Sequence, residues 1–232
     1  MDPEPRLAFW NAALTIFKKD LRAEFRTKEA FNSSAAFSLL VVVIFSMAFR
    51  PTAEEARAIS GGLLWVAFAF SGMLALSRTF ARELPNDCLL GLRMAPISPA
   101  AVYVGKLFGN LLFLLVLELL LLPVFAILYN VPMADQSLPL GIIVLLGSWG
   151  LAAVGTTFAG MATSVRLREL MLPVLLFPVE IPLLLFLIEA TTSVLQGGEG
   201  AVSPSLWLRM AFGFDVIFTT LSLFLFEYLL ED

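Results

Sequence analysis

Three carboxylates, Glu118, Glu180 and Asp215, stand inside long apolar runs of this 232-residue chain. An acidic side chain in the middle of a bilayer costs about 2.5–3.5 kcal/mol to insert, so such groups face a helix bundle or a wet cavity. They either handle a proton or ligand, or are hydrogen-bonded structural residues. Glu118 and Glu180 fall near the middle of their runs, whereas Asp215 falls nearer one end, where solvent is expected to reach it. No Lys or Arg falls within Leu107–Val131, Leu170–Ile188 or Met210–Phe226, the apolar runs that hold them. Other chemistry is narrowed by composition. The chain has no histidine, which removes the commonest general base and metal ligand. Its one cysteine, Cys88, can form no intrachain disulfide and cannot by itself build a four-ligand zinc site. Gly105-Lys106 matches the end of a phosphate-binding loop, but Ala100 stands where the first Gly belongs and Leu107 replaces Ser or Thr. No catalytic or metal site, and no nucleotide site on this chain, is therefore expected.

The elements that must hold these residues are membrane spans. The sequence is 59% apolar and only 15% charged, with a mean hydropathy of +0.89. A soluble domain is about 45–50% apolar and about 25% charged, so lipid must cover part of this surface. Runs bounded by charge predict six spans, at about 30–49, 58–77, 107–128, 139–165, 170–188 and 207–227, within one membrane domain over 30–230. They are continuous and about twice the length of the alternating segments of a barrel, so the class is all-α and polytopic. Twelve of the fifteen Lys and Arg residues fall on one side of this topology and three on the other. Positive residues stay in the cytoplasm, which places both termini there. There is no basic stretch suited to nucleic acid.

Residues 1–29 form the expected N-terminal amphipathic helix. Leu7, Trp10, Leu14, Phe17, Leu21 and Phe25 recur every three or four residues, and Lys18, Lys19, Asp20, Arg22, Glu24 and Arg26 fill the other face. A helix of this kind lies in the membrane interface and is either a surface anchor or a docking element. The largest cytoplasmic connection, 78–106, mixes Phe80, Leu84, Leu89, Leu90 and Leu92 with Arg78, Arg82, Glu83 and Arg93. Exposed apolar surface there is expected to contact a protein. A second cytoplasmic turn holds Arg166, Arg168 and Glu169. Ser148, Ala152, Thr156, Gly160 and Ser164 form a small-residue stripe on the fourth span, read as helix packing. Pro173, Pro178 and Pro182 interrupt backbone bonding along the fifth.

Several stretches together resemble one family, the haem exporter protein B or CcmB permease of the cytochrome c maturation ABC transporter. They are Lys19-Asp20-Leu21-Arg22-Ala23-Glu24, Gly62-Leu63-Leu64-Trp65-Val66-Ala67-Phe68, and Arg78 with Phe80 and Glu83. Gly91-Leu92, Ala95-Pro96, Tyr103-Val104-Gly105-Lys106 and Arg166-Leu167-Arg168-Glu169 before Leu172-Pro173 continue the likeness, which runs from about residue 7 to 230. The departure is Leu84-Pro85-Asn86-Asp87-Cys88, where the family carries a more acidic, Gly-containing run. The resemblance implies six helices of the ABC-2 exporter type. It implies a separate cytoplasmic ATPase that carries the ATP, two permeases with two ATPases, and a place in the bacterial inner membrane among other maturation proteins and a haem chaperone. Haem is then cargo rather than a bound cofactor, either exported or delivered by release of the loaded chaperone. On this reading Arg78, Arg82, Glu83, Leu92, Arg93, Arg166, Arg168 and Glu169 contact the ATPase. The alternatives are an ion-coupled carrier using Glu118 and Glu180, and a non-transporting scaffold for maturation proteins.

Overall fold

The computed structural model describes residues 9–48, 53–80, 83, 91–92, 94–164, 168–196 and 203–231. Among these residues there are seven long helices and no strand. α1 (Phe9–Thr27) precedes α2 (Glu29–Ala48), α3 (Ala53–Leu76), α4 (Pro99–Tyr129), α5 (Ser137–Met161), α6 (Arg168–Gln196) and α7 (Pro204–Glu231). Stretches in α2 to α7 are each long and apolar enough to cross a membrane. The chain is a multi-pass membrane protein.

Local sequence explains where the helices break. Lys28 takes a left-handed backbone, φ 52°, and ends α1. Glu24 Oε1 then accepts from the Phe31 amide at 3.0 Å, capping the first turn of α2. Ser98 caps α4 through its side chain, which accepts from the Ala101 amide, and Pro99 sits in the first turn, where a missing amide donor costs nothing. Asn130, φ 51°, closes α4 in the left-handed conformation. α4 therefore begins at Pro99, not near the expected boundary at 107. Its first two turns carry Tyr103, Gly105 and Lys106, which were expected in a loop. α6 runs on to Gln196, about two turns past the expected end, and stays helical through Pro173, Pro178 and Pro182.

α5 is the central post. It packs against α4, α6 and α7 and touches α3. Charge-free and rich in small residues, it can be approached from all sides. Ser148, Ala152 and Thr156 of the predicted stripe are fully buried, and Gly160 lies against Phe226 and Leu229 of α7. The Trp65 ring of α3 rests on Gly147, where an added Cβ would lie 2.0 Å from the ring, and its Nε1 donates to Thr191 Oγ1 of α6 at 2.9 Å. Gly61 meets the Ile188 carbonyl and Thr192 in the same way, which brings α3 and α6 backbones close together. Asn110 Nδ2 donates to Thr156 Oγ1 at 2.8 Å, tying α4 to α5. The outer faces stay greasy: Leu40, Ile44 and Met47 on α2, Leu119 on α4, and Phe212 and Phe224 on α7 are exposed, as lipid contact requires.

Gly147→Val forces overpacking against Trp65, which typically costs about 1–3 kcal/mol. The variant should lower the thermal unfolding midpoint in detergent. Gly109→Ala, where the added methyl meets nothing, should leave it unchanged or slightly raised.

Candidate functional site

The polar centre of the bundle lies at its α1 end. Lys106 stands at the end of the second turn of α4 with its side chain fully enclosed. An ammonium carries three donors and needs three acceptors when it leaves water. It finds Glu83 Oε1 at 2.9 Å, Asp20 Oδ2 at 3.1 Å and the Thr79 carbonyl at 2.9 Å. The Phe80 ring closes a further side, with its centroid 4.4 Å from Nζ. Lys19 of α1 adds a second cation, 2.6 Å from Glu83 Oε1 and 3.1 Å from Asp20 Oδ1. Two lysines and two carboxylates thus balance. They tie together α1, the turn after α3 and the start of α4.

The packing around this cluster is equally specific. At the α1–α4 crossing Ala12, Ala13 and Ile16 of α1 are buried, and Gly105 lets them come close: an added Cβ would lie 2.7 Å from the Ala13 carbonyl. Phe80 is covered by Phe226 of α7, and Tyr103 also packs on Phe226 while donating to the Ala153 carbonyl at 3.2 Å. The cluster is therefore anchored to both α5 and α7. Burial alone would push the Glu83 carboxyl up, but the Lys106 and Lys19 ammoniums outweigh it and hold Glu83 below its ordinary value. Burial likewise works against the Lys19 ammonium, and Asp20 with Glu83 more than compensates, raising Lys19 above its ordinary value.

These positions revise several expectations. Glu83, expected to face a partner, is 5% exposed and engaged inside the chain. Phe80, expected on the apolar surface of the loop, is buried. The physical reason is the same for both, since the enclosed Lys106 needs a counter-ion and a ring over it. Arg78 does sit at the surface, 2.8 Å from Glu29 Oε1 of α2. Leu92 is half-buried against the core, and Met94 beside it is 78% exposed. Arg82, Arg93 and Arg166 lie outside the described residues, as do Cys88 and the side chains of Arg168 and Glu169. Lys106, Lys19 and Asp20 are the site residues that sequence reasoning missed. The Ser98-Pro99 start signal would have placed Lys106 inside a helix and so marked it as a buried charge in need of partners.

The three carboxylates within spans lie elsewhere, deeper along the bundle. The Ser148 hydroxyl holds Glu118 Oε2. Glu180 of α6 is 1% exposed and no described group hydrogen-bonds its carboxyl. Asp215 was expected near solvent, but it is buried against the open edge of Gly150, because α7 begins at Pro204 and sets Asp215 three turns inside. Among the described residues no three Asp, Glu, His or Cys side chains gather as a metal site would need.

Removing one partner of a buried ion pair typically costs about 3–5 kcal/mol, because the other charge is left uncompensated. Lys106→Met and Glu83→Gln should each lower the unfolding temperature strongly, and the double variant should lose less than the sum, as a double-mutant cycle will show. Because Glu83 is held below its ordinary 4.5, its contribution is complete above pH 4.5 and is lost as the pH falls through the folded value. Lys19, raised above 10.5, loses its share only as the pH climbs past that value. Stability should therefore hold between these limits and fall on the acid side less steeply in Glu83→Gln than in wild type.

The cluster unites three stretches that lie far apart in the chain and that carry the family resemblance. Comparison with known proteins agrees with it. A family model described as CcmB protein matches residues 11–231. The chain is 31% identical to Heme exporter protein B of Rhodobacter capsulatus over 80% of its own length and 83% of that protein's. It is 30% identical to Heme exporter protein B of Paracoccus denitrificans, over 79% of this chain and 82% of the relative. The Pseudomonas aeruginosa protein of the same name is 24% identical over 81% and 83%. With a match that spans nearly the whole chain and the same residues gathered into one buried cluster, this protein belongs to the CcmB family.

Proposed function

We propose that this chain is the permease subunit of an ABC transporter for cytochrome c biogenesis. It couples ATP hydrolysis on a partner chain to haem export, or to release of a haem-loaded chaperone. The name carried by its relatives, Heme exporter protein B, supports haem as the cargo. The observation that carries the coupling role is the Lys106 cluster. A rigid joint between an amphipathic helix, the turn after α3 and the long α4 is what a push delivered at a cytoplasmic loop needs in order to move a span. The lysine that follows Gly105 has all three donors engaged internally, which supports placing ATP on another chain. The permease has no catalytic site of its own, binds no cofactor, and pairs with a second copy and two ATPases. It sits in the bacterial inner membrane with both termini and the α1 end in the cytoplasm, as the distribution of Lys and Arg supports. The docking surface is the segment around Arg82, Leu92, Arg93 and the exposed Met94, together with the Arg166–Glu169 turn.

One observation favours a second reading, ion-coupled carriage, because Glu118, Glu180 and Asp215 are all buried within spans. Uptake by the purified chain in liposomes under a proton gradient alone, with no ATPase present, would support it.

Charge reversal at Arg82 and Arg93 should strip the cytoplasmic ATPase from purified complexes without lowering the permease's unfolding temperature. Cells carrying an ATPase-dead partner should make no mature cytochrome c. Unchanged co-purification, or full maturation with the dead ATPase, would contradict the proposal.

A further inference from the structure

Glu180 lies on the most buried stripe of α6, with Leu176, Leu183 and Leu187, all exposed by 1% or less. Asp215 lies on a buried stripe of α7 with Ala211 and is 4% exposed. The two stripes meet over Gly150 of α5. An added Cβ there would lie 2.6 Å from Asp215 Oδ1 and 2.3 Å from Leu183 Cδ2, one turn along α6 from Glu180. Asp215 stands close enough for its charge to be felt at Glu180. Both acids fall near the middle of 26-residue apolar stretches. All four of their carboxyl oxygens are buried, and none has a hydrogen-bond partner among the described residues. No cation answers them either. α5 carries no charged residue, and Gly61 and Trp65, which α3 turns toward α6, are uncharged. Glu55 of α3, Glu189 of α6, and Arg209 and Glu227 of α7 are exposed. Glu118 of α4 is held by Ser148. An isolated carboxylate buried without donor or counter-ion neutralises rather than staying charged, and a second carboxylate beside it strengthens that tendency.

We propose that Glu180 and Asp215 form a proton-binding site across the α6–α7 seam, in which one protonated carboxyl donates its O–H to an oxygen of the other. The proton is the donor that the surrounding helices do not supply. While it is held, α6 and α7 share a polar contact beside Gly150. Once it leaves, two like charges face each other in an apolar seam, which must then take in water or a counter-ion. A proton held here need not cross the bilayer, so the site stands apart from both the haem-export and the ion-coupled readings.

The test uses the full chain in nanodiscs. The probe is dicyclohexylcarbodiimide, an apolar reagent that reacts with protonated carboxyls, and tandem mass spectrometry places each adduct. At neutral pH it should label Glu180 or Asp215 in wild type, a water-soluble carbodiimide should label neither, and labelling should fade as the pH rises. These readings need no variant. Glu180→Gln then gives Asp215 a permanent donor, and Glu180→Leu gives it none. Where labelling has begun to fade, Asp215 should react roughly tenfold more slowly in Glu180→Gln than in Glu180→Leu, because a hydrogen bond to a charged group favours the ionised form by about that factor. Absence of an adduct on both acids in folded wild type overturns the proposal, as does labelling that ignores pH. Equal labelling by the water-soluble reagent overturns it, since the pair would then be solvated, and so does an equal rate at Asp215 in the two Glu180 variants.

Discussion

A fully enclosed ammonium is the constraint around which the α1 end of this protein is built. Taking a charge out of water costs several kcal/mol unless every donor is met and the charge is balanced. Lys106 is met by one carboxylate from α1, one from the turn after α3, and a backbone carbonyl of that same turn. None of these groups can move far alone without stranding a charge in an apolar surrounding. The consequence is mechanical. Three segments that could otherwise slide past one another behave as one piece at this end, and the Phe80–Phe226–Tyr103 ring contacts pass that constraint to α7 and α5. Buried ion pairs contribute little net stability compared with an apolar core, so the value of this one lies in holding three segments in one arrangement.

The rest of the bundle follows different physics. In lipid the apolar side chains gain little by turning inward, and contact between helices depends on close approach and on hydrogen bonds. α5 supplies both, through Gly147 under Trp65, Gly150 under Leu183 and Asp215, Gly155 under Leu76, and the Ser148 and Thr156 hydroxyls that meet Glu118 and Asn110 of α4. The bundle is therefore rigid where α5 touches its neighbours and greasy on the outside. α1 is held at the crossing around Gly105 and by its Lys19 and Asp20 contacts, while Trp10 and Leu14 stay exposed along its edge.

How much of this was legible in the sequence depended on the kind of signal. The six spans were plain, because an apolar run of about twenty residues with little or no charge has few other uses. The amphipathic α1 was equally plain from its three-and-four spacing. Boundaries set by the last charge went astray at Lys106, where the charge lies inside the helix. Residue type alone does not separate a solvated lysine from an enclosed one, and its partners Asp20 and Glu83 are 86 and 23 residues away. The same limit misplaced Glu83 and Phe80 on the outside of the loop. Asp215 was set too near one end because α7 starts earlier, at Pro204, than its apolar run suggests. The resemblance carried more than its separate motifs did. Lys19-Asp20, Phe80 with Glu83, and Gly105-Lys106 looked like three weak likenesses, and they are one contact.

The most direct measurement of that contact as a joint is a distance distribution between spin labels at two exposed positions, Thr15 on α1 and Leu119 on α4, in a Cys88→Ser background. With the cluster intact the account predicts a single narrow distribution. With Glu83→Gln it predicts a broadened or lengthened one, as α1 and the start of α4 come apart. A distribution that stays equally narrow after Glu83 loses its charge would contradict it, because α1 would then be held by apolar packing alone and the enclosed lysine would fix nothing.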